Sequence, residues 1–386
     1  MDEKLLIELI EEAQKRGGGL ILNMGDTPRA VVLSVDAYTE LLSGKSSDLL
    51  SATPVASSEL LAEKEKPMTV LVTGGAGYIG AHVTREALAQ GYSVVVLDNL
   101  STGKREHVPE GVAFIEGDVR DVNLLRDIFA QYAITAVVHL AALLEVQESV
   151  EKPILYFDTN VLATTRLLEV MQEVGVKRIL FASTAAVYGA QTAGTFTESS
   201  ECAPTNPYGS SKLLAEQVLR YFSEYGGITV TVLRFFNVAG THESWGIHDT
   251  HERAHLIPVV IDVAKGKNVQ LSVFGEDYET ADGTCVRDYV HVYDIARAHL
   301  LVLAQRQDKQ FEIYNVGTGR GASVREVVQV AAEVTGRMIP MEVGDRRPGD
   351  DAERVADPSK IKASLGFVTM HSNLEEIIGS AWKAGN

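Results

Sequence analysis

The sequence predicts an α/β protein built on a doubly wound parallel sheet, with a smaller discontinuous α/β domain and a small α+β unit ahead of both. Three observations lead there. From Met68 onward, short runs rich in β-branched and apolar residues alternate with amphipathic stretches of helical length, as expected of parallel strands covered on both faces by helices. The first of those runs passes directly into a glycine-rich turn, the composition of a tight strand-to-helix junction. At 386 residues the chain also exceeds one average domain, and no internal repeat explains the excess.

Taken in order, residues 1–44 read as a unit of their own. Leu5, Leu6, Leu9 and Ile10 recur at helical spacing until Gly17 to Gly19 stop the helix. Leu20 to Leu22 and Ala30 to Leu33 flank Gly25-Asp26-Thr27-Pro28, a hairpin turn, and Asp36 caps a short helix carrying Tyr38, Leu41 and Leu42. Residues 45–67, rich in Ser, Ala, Glu and Lys without a sustained period, form a linker. Strands then follow at TVLV (Thr69–Val72), SVVVL (Ser93–Leu97), VAFIEG (Val112–Gly117), AVVHL (Ala136–Leu140), RILFAS (Arg178–Ser183) and TVTVLR (Thr229–Arg234). We expect the dinucleotide-type sheet over 68–240, rejoined by 289–316, and the smaller domain from 241–288 and 317–386.

Composition excludes several classes. A formal net charge of −17 opposes docking on a nucleic-acid backbone. Cys202 and Cys285 stand far apart without metal-ligand spacing, which fits a reducing cytoplasm rather than a disulfide scaffold. The acidic opening residues do not form a signal peptide, and no apolar run is long enough for a membrane span.

The chemistry begins at TGGAGYIG, Thr73 to Gly80. Gly74, Gly77 and Gly80 let a tight turn bring backbone against a pyrophosphate, and the helix that follows offers free N–H groups and its positive dipole end. This is the phosphate cradle of a Rossmann-type sheet. Asp98 closes the second strand about twenty residues on, where a carboxylate accepts both ribose hydroxyls and repels a 2′-phosphate, favouring NAD over NADP. Asp118, at the end of the third strand, has two readings: a contact to adenine, or the N-cap of the next helix. Farther along, PYGSSK sets Tyr208 and Lys212 on one helix face. A free phenol, with a pKa of roughly 10, is a poor base at neutral pH. A neighbouring ammonium and an oxidised nicotinamide both favour the phenolate, so Tyr208 can act as general base.

With these residues in place, the chain from Met68 to about Lys383 resembles the extended short-chain dehydrogenase/reductases, and among them the bacterial UDP-glucose 4-epimerases. The matching segments are TGGAGYIG, LDNLSTG, EGDVRD, HLAA with ESVEKP, FASTAAVYG, PYGSSK, LRFFNVAG, HLIPVV, FGEDYETADGTCVRDYVHV, YNVGTG and RRPGD, in that order. The resemblance implies an NAD-dependent isomerase that interconverts UDP-galactose and UDP-glucose through a 4-keto sugar, working as a homodimer. It implies an NAD site lined by Tyr78, Ile79, Asp98, Asn99, Leu100, Ser101, Thr102, Gly103, Asp118, Val119, Leu140, Ala141, Ala142, Leu144 and Thr159, with Phe236 near the nicotinamide and Lys212 on its ribose. Thr184, with Ser183 beside it, would hydrogen-bond the sugar O4. Asn237, His255, Leu256, Arg287, Arg347 and Asp350 would hold the UDP-hexose, the two arginines pairing with its pyrophosphate.

Several positions depart from the family pattern. Leu144 stands where a lysine occurs, Thr159 where asparagine is usual, Thr184 where serine is commoner, and Arg354 where a residue gating N-acetyl groups is found. A 4,6-dehydratase on the same scaffold carries Asp-Glu after the threonine; here Ala185 and Ala186 follow and cannot move a proton. UDP-pentose and UDP-N-acetylhexosamine 4-epimerases share every catalytic group and stay open. The N-terminal order of helix, hairpin and VDAYTELL is similar to antitoxins of the prevent-host-death type, which bind DNA; an accessory packing element is the preferred reading. His139 reads as a packed strand residue. His242, His248, His251 and His255 crowd one loop but lack the spacing of a metal site.

Overall fold

The structure, a computed structural model of the chain, describes residues 19–24, 27–33, 68–190, 194–249, 255–305, 309–346 and 350–384. The chain divides into two units, Met1–Pro67 and Met68–Asn386. In the first, strands Gly19–Met24 and Thr27–Leu33 pair antiparallel, Leu22 opposite Ala30. The hairpin is therefore tighter than the sequence suggests: Thr27 and Pro28, expected in the turn, belong to the second strand, opposite Met24 and Asn23. The helices expected on either side of it and the linker lie outside the described residues.

The second unit is organised by seven parallel strands: β1 (Thr69–Thr73), β2 (Ser93–Asp98), β3 (Ala113–Glu116), β4 (Ile134–His139), β5 (Arg178–Thr184), β6 (Thr229–Phe235) and β7 (Phe311–Val316). Their order, β7-β6-β5-β4-β1-β2-β3, reverses between β1 and β4. Such a switch point opens a crevice at the carboxyl ends of the strands. Alternation along β1 explains the two-sided core. Val70 and Val72 face a cluster with Val83 of helix α1 (Tyr78–Ala89), while Leu71 faces Leu125 of α2 (Val122–Gln131), Leu167 of α3 (Ala163–Val174) and Leu219 of α4 (Pro207–Gly226). Helix α5 (Val292–Ala304) packs beside α1 through Ile295 and Leu303.

Helix starts follow from side-chain chemistry. Asp121 caps α2 by accepting from the Asn123 and Leu124 N–H groups at 3.0 and 3.1 Å. This corrects one of the two readings of Asp118, which lies three residues too early to cap. Asn206 caps α4 through the Gly209 N–H, with Pro207 at the first helical position.

Beyond the sheet, Asn237–Ala239 pairs parallel with Tyr289–His291. Val286–Arg287 sits between Ala322–Ser323 and Glu353–Ala356, and the latter pairs with Thr195–Phe196, a segment from the β5–α4 connection. A separate core joins helices Leu256–Ala264, Val324–Thr335 and Leu374–Ala384 through Ile257, Val260, Val327 and Ile377. No helix among the described residues is long and apolar enough to cross a membrane.

His82, His139, His291 and His299 are sealed inside this unit. Burial lowers His82 and His139 to about 3, and His291 and His299 to about 4. An unfolded chain takes up protons at these groups below about pH 6.5 while the folded one does not, so stability present above that pH drains as pH falls toward 4. Each group contributes up to about 1.4 kcal/mol per pH unit. Thermal melts should therefore show Tm falling steeply from pH 7.5 to pH 5, by on the order of 10 °C; an unchanged or higher Tm at pH 5 would contradict these protonation states.

Candidate active site

A cleft of about 1900 Å³ runs along the carboxyl ends of β1, β2, β4 and β5 and continues toward the second core. That exceeds the usual room for one small ligand and is wide enough for a dinucleotide and a nucleotide sugar together. At its floor, the chain leaves β1 through Gly74, in the left-handed region at φ +71. A side chain there would meet the backbone of Ala141 at 2.7 Å, and one on Gly80 would lie 2.1 Å from the Gly74 carbonyl. Helix α1 begins at Gly77 without a side-chain cap, so its first N–H groups are free to receive an anion. These features fit the diphosphate of NAD.

The predicted dinucleotide residues largely converge. Gly74, Gly77, Ile79, Gly80, Asp98, Asn99, Ser101, Thr102, Asp118 and Val119 border the cleft, as do Leu140, Ala141, Ala142, Leu144, Thr159 and Phe236. Three positions behave differently. The Tyr78 side chain turns into the core and donates to the Gly240 carbonyl at 2.5 Å, leaving its backbone to the cradle. Leu100 and Gly103 stand behind the cleft wall. Leu100, at φ +56, donates its N–H to Asp98 Oδ1 at 2.8 Å and packs into the core, and Gly103 lies against Ala76. Asp98 also accepts from the Ala76 N–H at 2.9 Å, which ties the glycine turn to the end of β2. Asp118 is clamped by Arg120 at 2.7 and 3.0 Å; the Arg120 hydrogen bonds hold its carboxyl below the usual range.

On the opposite wall α4 brings Tyr208 and Lys212 to the cleft, facing Thr184 at the end of β5. The Thr184 hydroxyl accepts from the Ala186 N–H at 3.1 Å and pulls on the Tyr208 phenol against the effect of its burial. Tyr156 meets the Tyr208 ring edge-on at 6.4 Å. Ser183, expected beside Thr184 at the sugar, borders the cleft, but its hydroxyl donates to buried Glu216 at 2.5 Å. The two-residue period of a strand sends neighbouring side chains to opposite faces.

The sequence expects a phenolate favoured jointly by the lysine and an oxidised nicotinamide; the protein's own groups give the following balance. Burial raises Tyr208 above its ordinary value, with Thr184 pulling the other way. Burial also lowers Lys212 to about 7, against the charge of Glu216. Lys212 rests its Nζ 4.3 Å over the Phe181 ring. Without further positive charge in the cleft, the phenol keeps its proton.

The predicted sugar-nucleotide residues Asn237, His255, Leu256, Arg287 and Asp350 border the same cleft; Arg347 lies outside the described residues. Arg287 is held by Asp350 at 3.1 Å and Asp351 at 3.3 Å, and His255 pairs with Asp249 at 2.6 Å. Arg354 borders the cleft too, tied to Asp351 at 2.9 Å and to the Gly189 carbonyl at 3.2 Å. Of the loop histidines, His242 stacks on Trp245 at 3.9 Å, and His251 lies outside the described residues. His139 bonds Thr73 and Thr164 at 2.7 and 3.0 Å inside the sheet layer.

Sequence reading missed the supports. Asn160 holds the Leu143 backbone from both sides, at 2.8 and 3.0 Å, and donates to Ser211 at 2.9 Å, fixing the 140–144 loop against α4. It sits in a single π-turn, Asp158–Leu162, the kind of irregularity often found near functional sites. Glu216 and Arg234 form a buried ion pair beneath Lys212, with contacts at 2.6 and 3.0 Å. The signal for Glu216 was the stride of four from Tyr208 through Lys212.

A switch-point sheet, a glycine cradle and a Tyr-Lys helix together define a nicotinamide-dependent class, and the comparisons agree: residues 70–317 match the NAD dependent epimerase/dehydratase family, to which the chain belongs. Within that family it is similar to proteins named UDP-glucose 4-epimerase. The one from Halalkalibacterium halodurans is 44% identical over 317 residues, 82% of this chain and 95% of the relative. Among solved structures, UDP-glucose 4-epimerase from Brucella ovis in complex with NAD is 41% identical, with a TM-score of 0.79 over 82% of this chain and 97% of that one. The enzyme from Bifidobacterium longum in complex with NAD+ and UDP is 40% identical, with a TM-score of 0.78 over 82% and 98%.

Proposed function

We propose that the chain is an NAD-dependent UDP-hexose 4-epimerase that interconverts UDP-galactose and UDP-glucose. The observation that carries this reading is that Tyr208, Thr184 and Lys212 share one cleft with an uncapped glycine cradle. The relatives' names and ligands support the choice of UDP-hexose.

In this reading Gly74, Gly77 and the first turn of α1 hold the cofactor diphosphate, Asp98 its adenosine ribose and Lys212 its nicotinamide ribose. When bound, oxidised NAD supplies the hydride exchange at the sugar C4 and a positive ring beside Tyr208. Thr184 hydrogen-bonds O4, and Tyr208 takes the O4 proton and later returns it. Arg287 releases Asp350 to hold the pyrophosphate, and the breadth of the cleft leaves room for the 4-keto sugar to present its other face. Residues 68–240 and 289–316 form the dinucleotide half, and 241–288 and 317–386 the sugar-nucleotide half. Arg354, pinned from two sides, narrows the sugar end, so an N-acetyl group fits worse than a hydroxyl.

The test is to supply purified protein, without added NAD, with UDP-galactose, UDP-arabinose and UDP-N-acetylgalactosamine side by side. Conversion of UDP-galactose to UDP-glucose fastest of the three is expected; no conversion of any would end the reading.

The same reading makes the protein a cytoplasmic homodimer. Val150, Ile154, Leu214, Tyr221 and Tyr225 leave an apolar face exposed on helices Val146–Glu151, Pro153–Phe157 and α4, the kind of patch that a second copy covers. Light scattering should return twice the 41.8 kDa chain mass, and a species of the chain mass would argue against it.

A further inference from the structure

Lys212 depends on a charge it does not touch. Its Nζ lies over the Phe181 ring, and the titratable groups around it are Tyr208 on the same helix, His139 on β4 and Glu216 one turn on. His139 is held neutral, since burial and the Lys212 charge bring it to about 3. Glu216 is the negative charge that acts on Lys212, yet among the described residues it forms no ion pair with it. Its carboxylate is taken by Arg234, at 2.6 and 3.0 Å, and by the Ser183 hydroxyl at 2.5 Å. Arg234 in turn donates to Tyr188 at 3.0 Å, with the Cys202 thiol beside the pair. Burial acts to lower Arg234, but the Glu216 bonds outweigh it and keep the guanidinium charged. The pair is buried on both sides, at 4% side-chain exposure each, so little water screens its field.

We propose that Glu216, clamped by Arg234 and Ser183, is a positioning residue that tunes the charge state of Lys212, and through it the pH range in which the Tyr208–Lys212 pair works. The clamp makes the neighbour of Lys212 a nearly neutral pair instead of a full negative charge. Lys212 then carries a proton that it can lose near neutral pH. A free carboxylate one turn away would lock the ammonium on; a lone guanidinium would strip its proton. The bearing on turnover rests on the epimerase reading, whereas the charge coupling does not.

The coupling can be read without substrate. In protein carrying ¹³C at the lysine ε-carbons, the Lys212 signal is identified by its loss in Lys212→Met and followed with pH. In the wild-type protein its midpoint should lie well below the ordinary 10.5. Glu216→Gln leaves Arg234 unpaired and should lower the midpoint by about one pH unit. Arg234→Gln frees the Glu216 charge and should raise it by about as much. The double variant, neutral again, should return close to wild type. The alkaline limb of turnover should move in the same order, because activity is lost as pH rises through the Lys212 midpoint.

Midpoints that do not move in opposite directions overturn the proposal, as does a wild-type midpoint at or above 10.5. Where one single variant does not fold, the sign of the other decides, and a double variant displaced by a full unit overturns the coupling as well. A purely structural role would cost stability in all three variants without this ordering. Wild-type protein that shows the midpoint pattern but turns over no UDP-sugar would instead refute the epimerase reading alone.

Discussion

Tyr208→Phe should lower UDP-galactose turnover by roughly 100- to 10,000-fold, the usual weight of a positioned proton-transfer group, while the protein keeps its NAD. The two effects separate because of what the phenol touches. Its hydroxyl faces Thr184 across the cleft wall, and nothing in the glycine cradle depends on it. The ring of phenylalanine preserves the edge contact with Tyr156, so the fold should lose at most the weight of one hydrogen bond, on the order of 1 kcal/mol. Turnover, NAD content measured after denaturation, and Tm together separate the outcomes. Activity within tenfold of wild type would remove Tyr208 from the chemistry, and lost NAD would make it a cofactor-binding residue instead.

Gly80→Ala should strike the cofactor rather than the chemistry. The added carbon would sit 2.1 Å from the Gly74 carbonyl oxygen, 1.3 Å closer than the 3.4 Å at which ordinary contact begins. The atoms it meets belong to backbone and a Cβ is fixed to its own Cα, so no side chain can swing aside: the turn and the first turn of α1 must part. Overpacking of this kind costs about 1–3 kcal/mol, lowering Tm by several degrees. Displacing the free N–H groups of α1 by an ångström should also reduce turnover about a hundredfold, with most of the bound NAD lost on purification. An alanine protein with full NAD content would show that the cradle tolerates movement and that the diphosphate rests elsewhere.

Much of this was legible in the chain itself. Six of the seven strands of the parallel sheet announced themselves by their apolar runs, whereas Phe311–Val316, broken by Glu312 and Asn315, was foreseen only as part of the segment that rejoins the sheet; the cleft-facing glycines showed because their spacing follows from geometry. Tyr208 and Lys212 were pointed to by their stride of four and Thr184 by the family resemblance, and the fold brings all three to one cleft. Thr27 and Pro28 were misplaced into a turn because a proline in an edge position still allows a strand. Asp118 competed with Asp121 for one helix start, and only backbone direction decides between two carboxylates three residues apart. The partners of Ser183 could not be read from spacing, since Glu216 and Arg234 come from different elements and meet only when β5, α4 and β6 are stacked. Nor could sequence give the protonation of Tyr208 and Lys212, because it follows chiefly from burial, with Thr184 and Glu216 acting against it from neighbouring positions that only the fold reveals.

The most direct test follows the atom at the centre of the reaction. UDP-galactose carrying deuterium at C4 is converted in ordinary water, and the product is read by mass spectrometry and proton NMR. Inversion by oxidation and re-reduction within one cleft returns the same hydrogen to C4, so the UDP-glucose should retain its deuterium in full. Replacement of that deuterium by solvent protium would mean that C4 is inverted by proton exchange with water, a route in which neither a hydride acceptor on the glycine cradle nor the Tyr208–Lys212 pair has the part proposed for it.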